Sequence, residues 1–85
     1  MNISKAEQRT LHALARGGAV FVDKNEKGDV VAVNCATREG WTLADCTTEV
    51  FRKLRKRRFI ASSSGGPYRL TLLGRRAVRS EPDNR

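Results

Sequence analysis

The sequence predicts one small α+β domain of winged helix-turn-helix-like design, with elements in the order α-β-β-(β)-α-β-β-α. Three observations predict it. A capped amphipathic segment opens the chain, two β-branched runs follow on either side of a polar stretch, and the second half reads helix, tight hairpin, helix. The last order is the one that ends a winged helix-turn-helix domain, in which the helix before the wing enters the major groove and the wing touches backbone. Residues 1–80 are assigned to this domain and residues 81–85 to a flexible C-terminal tail.

The first helix begins at a capping box, Ser4 with Glu7, in which hydroxyl and carboxylate satisfy orphan backbone N–H groups reciprocally. Gly17-Gly18 ends it. Leu11, Leu14 and Ala15 share one face, while Lys5, Arg9, His12 and Arg16 form a stripe on another that reads as solvated surface. The runs 19–23 and 30–35, rich in valine, flank Lys24-Asn25-Glu26-Lys27-Gly28-Asp29 and predict a β-hairpin. Arg38-Glu39-Gly40 reads as a turn, and Trp41-Thr42-Leu43 as a short third strand, with Trp41 expected to plug the core.

Asp45-Cys46-Thr47-Thr48-Glu49 supplies capping and acidic side chains where a helix N-terminus favours them, so the second helix is expected from Cys46 to Arg57. Val50, Phe51 and Leu54 fall together on its wheel, and Arg57 and Arg58 would rotate back toward that apolar side. The helix therefore ends there. Phe59–Ser62 and Tyr68–Thr71 flank the turn Ser63-Ser64-Gly65-Gly66-Pro67 and predict the wing, with Tyr68 reaching back to the core. Thr71 caps a last helix over 72–79.

Charge narrows the function. The chain of 85 residues carries a net +8, yet residues 1 to 46 hold six basic and six acidic residues, whereas Val50 to Arg79 holds ten basic residues and no acidic one. A field that dense attracts polyanions or acidic protein faces. On the second helix Arg52, Lys53, Arg55 and Lys56 are placed to meet phosphates. Arg57, Arg58 and Arg69 extend the patch through the wing, and Arg75, Arg76 and Arg79 add the last helix. The helix face offers no Asn or Gln to pair with adenine, so contacts to the backbone rather than to base edges are expected.

Other chemistries find little support. Cys35, Cys46 and His12 are the only soft or imidazole ligands and form no Cys-x-x-Cys pair, so no metal site is expected. No Ser or Cys has a base and orienting acid in a recognisable pattern, and no glycine-rich loop opens a helix; no catalytic residue and no cofactor are assigned. The two cysteines read as free structural side chains of a reducing compartment. No apolar run approaches the roughly 20 residues that span a bilayer, and the first residues lack a signal peptide's apolar stretch, so a cytoplasmic protein without membrane contact is expected. So short a chain closes only a modest core, which leaves a homodimer open.

Several blocks carry a resemblance over almost the whole chain. Met1-Asn2-Ile3-Ser4, Glu7-Gln8, Thr10-Leu11-His12, Leu14-Ala15 and Gly17-Gly18 come first. Cys35, Arg38-Glu39-Gly40, Asp45-Cys46-Thr47, Val50-Phe51, Lys53-Leu54-Arg55 and Pro67-Tyr68-Arg69 follow, then Val78-Arg79 and Asp83-Asn84-Arg85. In this order they resemble the bacterial YjhX-like toxin family. The resemblance implies a small toxin of a toxin–antitoxin pair that binds and inhibits DNA topoisomerase I without enzymatic activity of its own, paired with an acetyltransferase-like antitoxin. The residues alone support a second reading, a winged-helix DNA-binding regulator that uses the same basic face.

Overall fold

The computed structural model describes residues 3–79, Arg79 by its backbone alone. The segment expected as a flexible tail, 81–85, lies outside the described residues. Three helices and a five-stranded antiparallel sheet form the fold: α1 (Lys5–Ala15), β1 (Ala19–Lys24), β2 (Val30–Ala36), β3 (Thr42–Leu43), α2 (Thr48–Lys56), β4 (Ile60–Ser62), β5 (Tyr68–Leu70) and α3 (Leu72–Arg79). The strands lie in the order β3-β2-β1-β5-β4, so the second hairpin joins the first through β1 and β5.

Local chemistry sets each boundary. The Ser4 hydroxyl accepts from the Glu7 N–H and the Glu7 carboxylate accepts from the Ser4 N–H, both at 3.2 Å, which completes the capping box. In the first hairpin the Asn25 carboxamide oxygen accepts from the N–H groups of Lys27 and Asp29, and Gly28 takes a positive φ of 86°. Such a side-chain turn reverses the chain where glycine relieves the left-handed position. The register pairs Asp23 with Ala32 and then Lys24 with Val30, which leaves Val31 as the unpaired residue of a β-bulge and explains why it is exposed.

α2 starts later than the sequence suggests. Thr47 is its N-cap and accepts from the Val50 N–H at 3.2 Å, while Cys46 stays ahead of the helix as a buried side chain. Thr71 caps α3 as expected, its hydroxyl accepting from the Gly74 N–H. A β-carbon at Gly74 would strike the Phe59 carbonyl, so only glycine lets α3 lie this close to the start of β4.

Strand alternation sends Val20 inward and Phe21 outward. The core then gathers Leu11 and Leu14 of α1, Val20, Cys35, the Val50-Phe51-Leu54 stripe of α2, Phe59, Ile60, Tyr68 and Ala77. Burying each large aliphatic or aromatic side chain contributes about 1.5–3 kcal/mol before entropy is subtracted. Trp41 takes no part. It is 73% exposed, because Leu43, paired opposite Cys35, holds the position beside the core. Trp41 instead sits in the turn just before β3, where its N–H donates to the Thr37 hydroxyl and its carbonyl accepts from the Thr37 N–H.

Candidate functional site

α2 is held by its apolar stripe and by charges that suit its dipole, Glu49 in the first turn and Lys53, Arg55 and Lys56 in the last. With Val50, Phe51 and Leu54 turned inward, Arg52, Lys53, Arg55 and Lys56 are left exposed together. Two of the four are partly engaged. Lys53 lies 3.3 Å from Glu49 one turn earlier, a solvent-exposed pair of little energetic weight. The Arg55 guanidinium sits 5.9 Å from the centroid of the Tyr68 ring, which itself meets Phe51 edge-on at 4.9 Å. Stacking on a ring that is locked into the core ties one cation of α2 to the start of β5.

The end of α2 is sharply built. The Phe59 N–H donates to the Leu54 carbonyl and the Arg58 N–H to the Arg55 carbonyl, the paired hydrogen bonds of a Schellman turn. Arg58 takes the left-handed position at φ 64°, and its carbonyl accepts from the Thr71 hydroxyl at 2.7 Å. Arg57, the residue before it, turns back to α1: its Nε lies 3.7 Å from the Glu7 carboxylate, which is only 3% exposed. Arg57 thus offsets a buried charge as well as adding to the basic surface.

The remaining predicted cations spread away from α2. Arg69 is exposed on β5, and alternation puts it on the sheet face opposite Tyr68, across from Ala61. Arg75 and Arg76 are exposed on α3, which packs against α1 and β5. Arg79 ends α3, and its side chain lies outside the described residues. The ten predicted site residues therefore divide into a tight group on α2, its C-terminal turn, and outliers on β5 and α3. The carboxylates missing from this stretch of sequence come from outside it, as Glu49 and Glu7.

Comparison with known proteins places the chain. All 85 residues match the family described as "Putative toxin of bacterial toxin-antitoxin pair". The chain belongs to the YjhX-like toxin family. Among its relatives is a UPF0386 protein of Parvibaculum lavamentivorans, 64% identical over the whole of both chains. A UPF0386 protein of Rhodospirillum centenum is 60% identical, covering all of this chain and 99% of the relative. One of Caulobacter vibrioides is 52% identical, covering all of this chain and 93% of its own. No solved structure matches.

In this YjhX-like chain the cysteines are buried free thiols in hydrogen-bonding contact with each other. That bond and then burial push the Cys46 thiol up, while at Cys35 the same bond lowers the pKa and burial opposes it. The reactive form of cysteine is the thiolate, so Cys46 is held in its unreactive state inside the core. Among the described residues no group of three or more His, Cys, Asp and Glu stands close enough to hold a metal ion. Nor is any described helix long and apolar enough to cross a membrane.

Glu7 is the residue whose second task the sequence conceals. Its capping role is local and legible, whereas the ion pair to Arg57 joins positions fifty apart in the chain. The only sequence signal is that Glu7 lies on the face that carries Leu11 and Leu14, where a carboxylate needs a cation.

Proposed function

We propose that this protein is a toxin that inhibits DNA topoisomerase I by non-covalent binding, performs no catalysis, and uses the outward face of α2 as its contact. Membership of the toxin family supports the first part, and the family resemblance supplies the target. The observation that carries the choice of surface is the grouping of Arg52, Lys53, Arg55 and Lys56, all exposed on one short helix with only Glu49 to offset them. An enzyme at work on DNA carries the phosphates of its bound substrate, and a compact cationic face is drawn to those or to an acidic patch of the protein itself. The antitoxin of the pair, acetyltransferase-like by resemblance, would act by keeping this face from its target.

The test is relaxation of supercoiled plasmid by the host topoisomerase, together with co-purification of the two proteins. The wild-type chain should inhibit and be recovered in complex. The folded triple variant Arg52→Glu, Lys53→Glu, Lys56→Glu should need roughly tenfold or more protein for the same inhibition. Unchanged relaxation at saturating protein, with no complex recovered, rejects the proposal. Inhibition retained by the triple variant moves the contact off α2.

A second reading rests on the pairing of β1 with β5, which fastens the β4–β5 hairpin beside α2 as a wing beside a recognition helix. On that reading α2 enters a groove of duplex DNA and the protein acts as a regulator. Binding to a short duplex should then weaken with salt, the slope of log affinity against log salt steepening by about 0.9 per phosphate contact. Absence of duplex binding at low salt removes this reading and leaves the first intact.

A further inference from the structure

The acidic and basic residues that cancel over the first 46 positions do not cancel in space. Asp23, Glu26 and Asp29 lie at or near the turn end of the β1–β2 hairpin, and Glu7 is buried against Arg57. At the other end of the hairpin, a groove of about 580 Å³ runs between α1 and the segment joining β2 to β3. Its charged walls are Lys5, Arg9, Arg16 and Arg38, with His12 between them on α1. The stripe that reads as a plain solvated helix face is thus one wall of a cleft, and Arg38, distant in sequence, forms the other.

Positions 5, 9, 12 and 16 put one such group on each turn of the helix over a length of about 16 Å. The aliphatic stem of Arg38 lies along Gly17, its Cδ 3.5 Å from where a β-carbon would stand, so that side chain runs beside the end of α1. Lys5, Arg16 and Arg38 have no ion-pair partner among the described residues, whereas Arg9 is engaged by Asp45 at 3.2 Å. Ala13 and Leu43, both partly buried, add apolar surface, and Glu39 is the one carboxylate among the described residues of the groove wall.

We infer that this groove docks an extended acidic peptide segment of a protein partner, at a site separate from the face of α2. Charge complementarity selects an anion. Shape selects a peptide: an extended chain rises about 3.3 Å per residue, so about five residues fill the length of the groove, with carboxylates toward the cations and an apolar side chain toward Ala13 and Leu43. A DNA duplex presents a broad convex surface and meets the exposed helix α2 more readily than a cleft of this size.

The test uses the full chain and a fluorescein-labelled peptide, Glu-Asp-Leu-Glu-Asp, followed by anisotropy at an ionic strength of about 0.15 M, where the Debye length is about 8 Å, with the Gln-Asn-Leu-Gln-Asn peptide as control. The acidic peptide should bind and the neutral one should not. The variant Lys5→Glu with Arg38→Glu should weaken binding roughly tenfold or more, because it reverses both ends of the groove. Glu39→Gln should tighten it about two- to threefold by removing the opposing charge. Reversal of Arg52 and Lys56 to glutamate should leave peptide affinity within about twofold, since surface charges beyond a Debye length are screened. Circular dichroism confirms that each variant is folded; an acidic side chain at position 5 suits the start of a helix. The inference is overturned if the acidic peptide does not bind, or if the α2 reversal weakens it as much as the groove reversal. It is also overturned if the groove reversal abolishes binding of a DNA duplex and spares the peptide, which would assign the cleft to nucleic acid.

Discussion

The α1–β1 and α2–β4 junctions are closed by the same pair of hydrogen bonds around opposite residues. At the first, the Gly18 N–H donates to the Ala13 carbonyl and the Gly17 N–H to the Leu14 carbonyl. Gly17 occupies the left-handed position at φ 104°. At the second, Phe59 and Arg58 make the equivalent bonds, and an arginine stands where the first junction has glycine. Glycine adopts that conformation without a β-carbon clash, whereas for an L-residue it costs about 1–2 kcal/mol. The contrast follows from what fills each junction. The first is filled by backbone packed on backbone, and the second by Phe59, buried next to Leu54 at the usual apolar contact of this turn, with Thr71 fixing the Arg58 carbonyl.

The strongest way to break the first junction is Gly18→Ala. Its β-carbon would stand 2.7 Å from the Ala36 carbonyl oxygen and 2.8 Å from that of Ala13, and neither backbone group can swing aside. We expect a loss of about 2–3 kcal/mol, at the upper end for overpacking. For a domain of this size each kcal/mol lowers the melting temperature by about 4–8 °C, so a thermal melt resolves it. A melting temperature within a degree of wild type would show that the strand and helix here can separate freely. Gly17→Ala probes the same junction more gently. The space beside it holds only the flexible Arg38 side chain, so the cost should be the left-handed strain alone, about 1 kcal/mol by denaturant titration.

What the sequence makes legible follows the range of the interactions. Local signals carry the capping box of α1, the Gly17-Gly18 stop, both hairpins and the Thr71 cap, since each is settled within a few residues. The end of α2 is legible for a related reason: continuing the helix past Arg57 would turn cations toward Leu54 and Phe51. That the chain would turn there with an arginine in the left-handed position is not legible, because it depends on Phe59 and Thr71 closing from the other side. Trp41 misleads because size alone marks it for the core, whereas the short β3 begins only at the next residue and leaves it in the turn. The basic face of α2 stands out as a run of charges in the sequence. The groove along α1 does not, since Arg38 joins it only through the fold, and of the acidic residues that interleave with its cations along the chain Asp23, Glu26 and Asp29 lie at or near the far end of the hairpin and Glu7 is buried against Arg57.

The mildest of these changes tests why the second junction keeps its arginine. Replacing Arg58 by Gly relieves about 1–2 kcal/mol of left-handed strain in the folded state. The same change gives the unfolded chain more freedom, at a cost of about 0.5–1 kcal/mol. The net should be a gain of about 0.5 kcal/mol, read as a higher denaturant midpoint with an unchanged slope. If Arg58 is kept for its charge at the surface, this more stable variant should inhibit topoisomerase less well than wild type, or, if the partner is duplex DNA, show a salt slope shallower by about 0.9. Arg58→Asn separates backbone from charge: asparagine tolerates the left-handed position but carries no cation, so it should share the binding defect with little change in stability. A glycine variant that is no more stable than wild type would mean that the turn stores no strain. One that is more stable and binds as well would mean that the cation at this corner serves neither partner, and the contact would contract to Arg52, Lys53, Arg55 and Lys56.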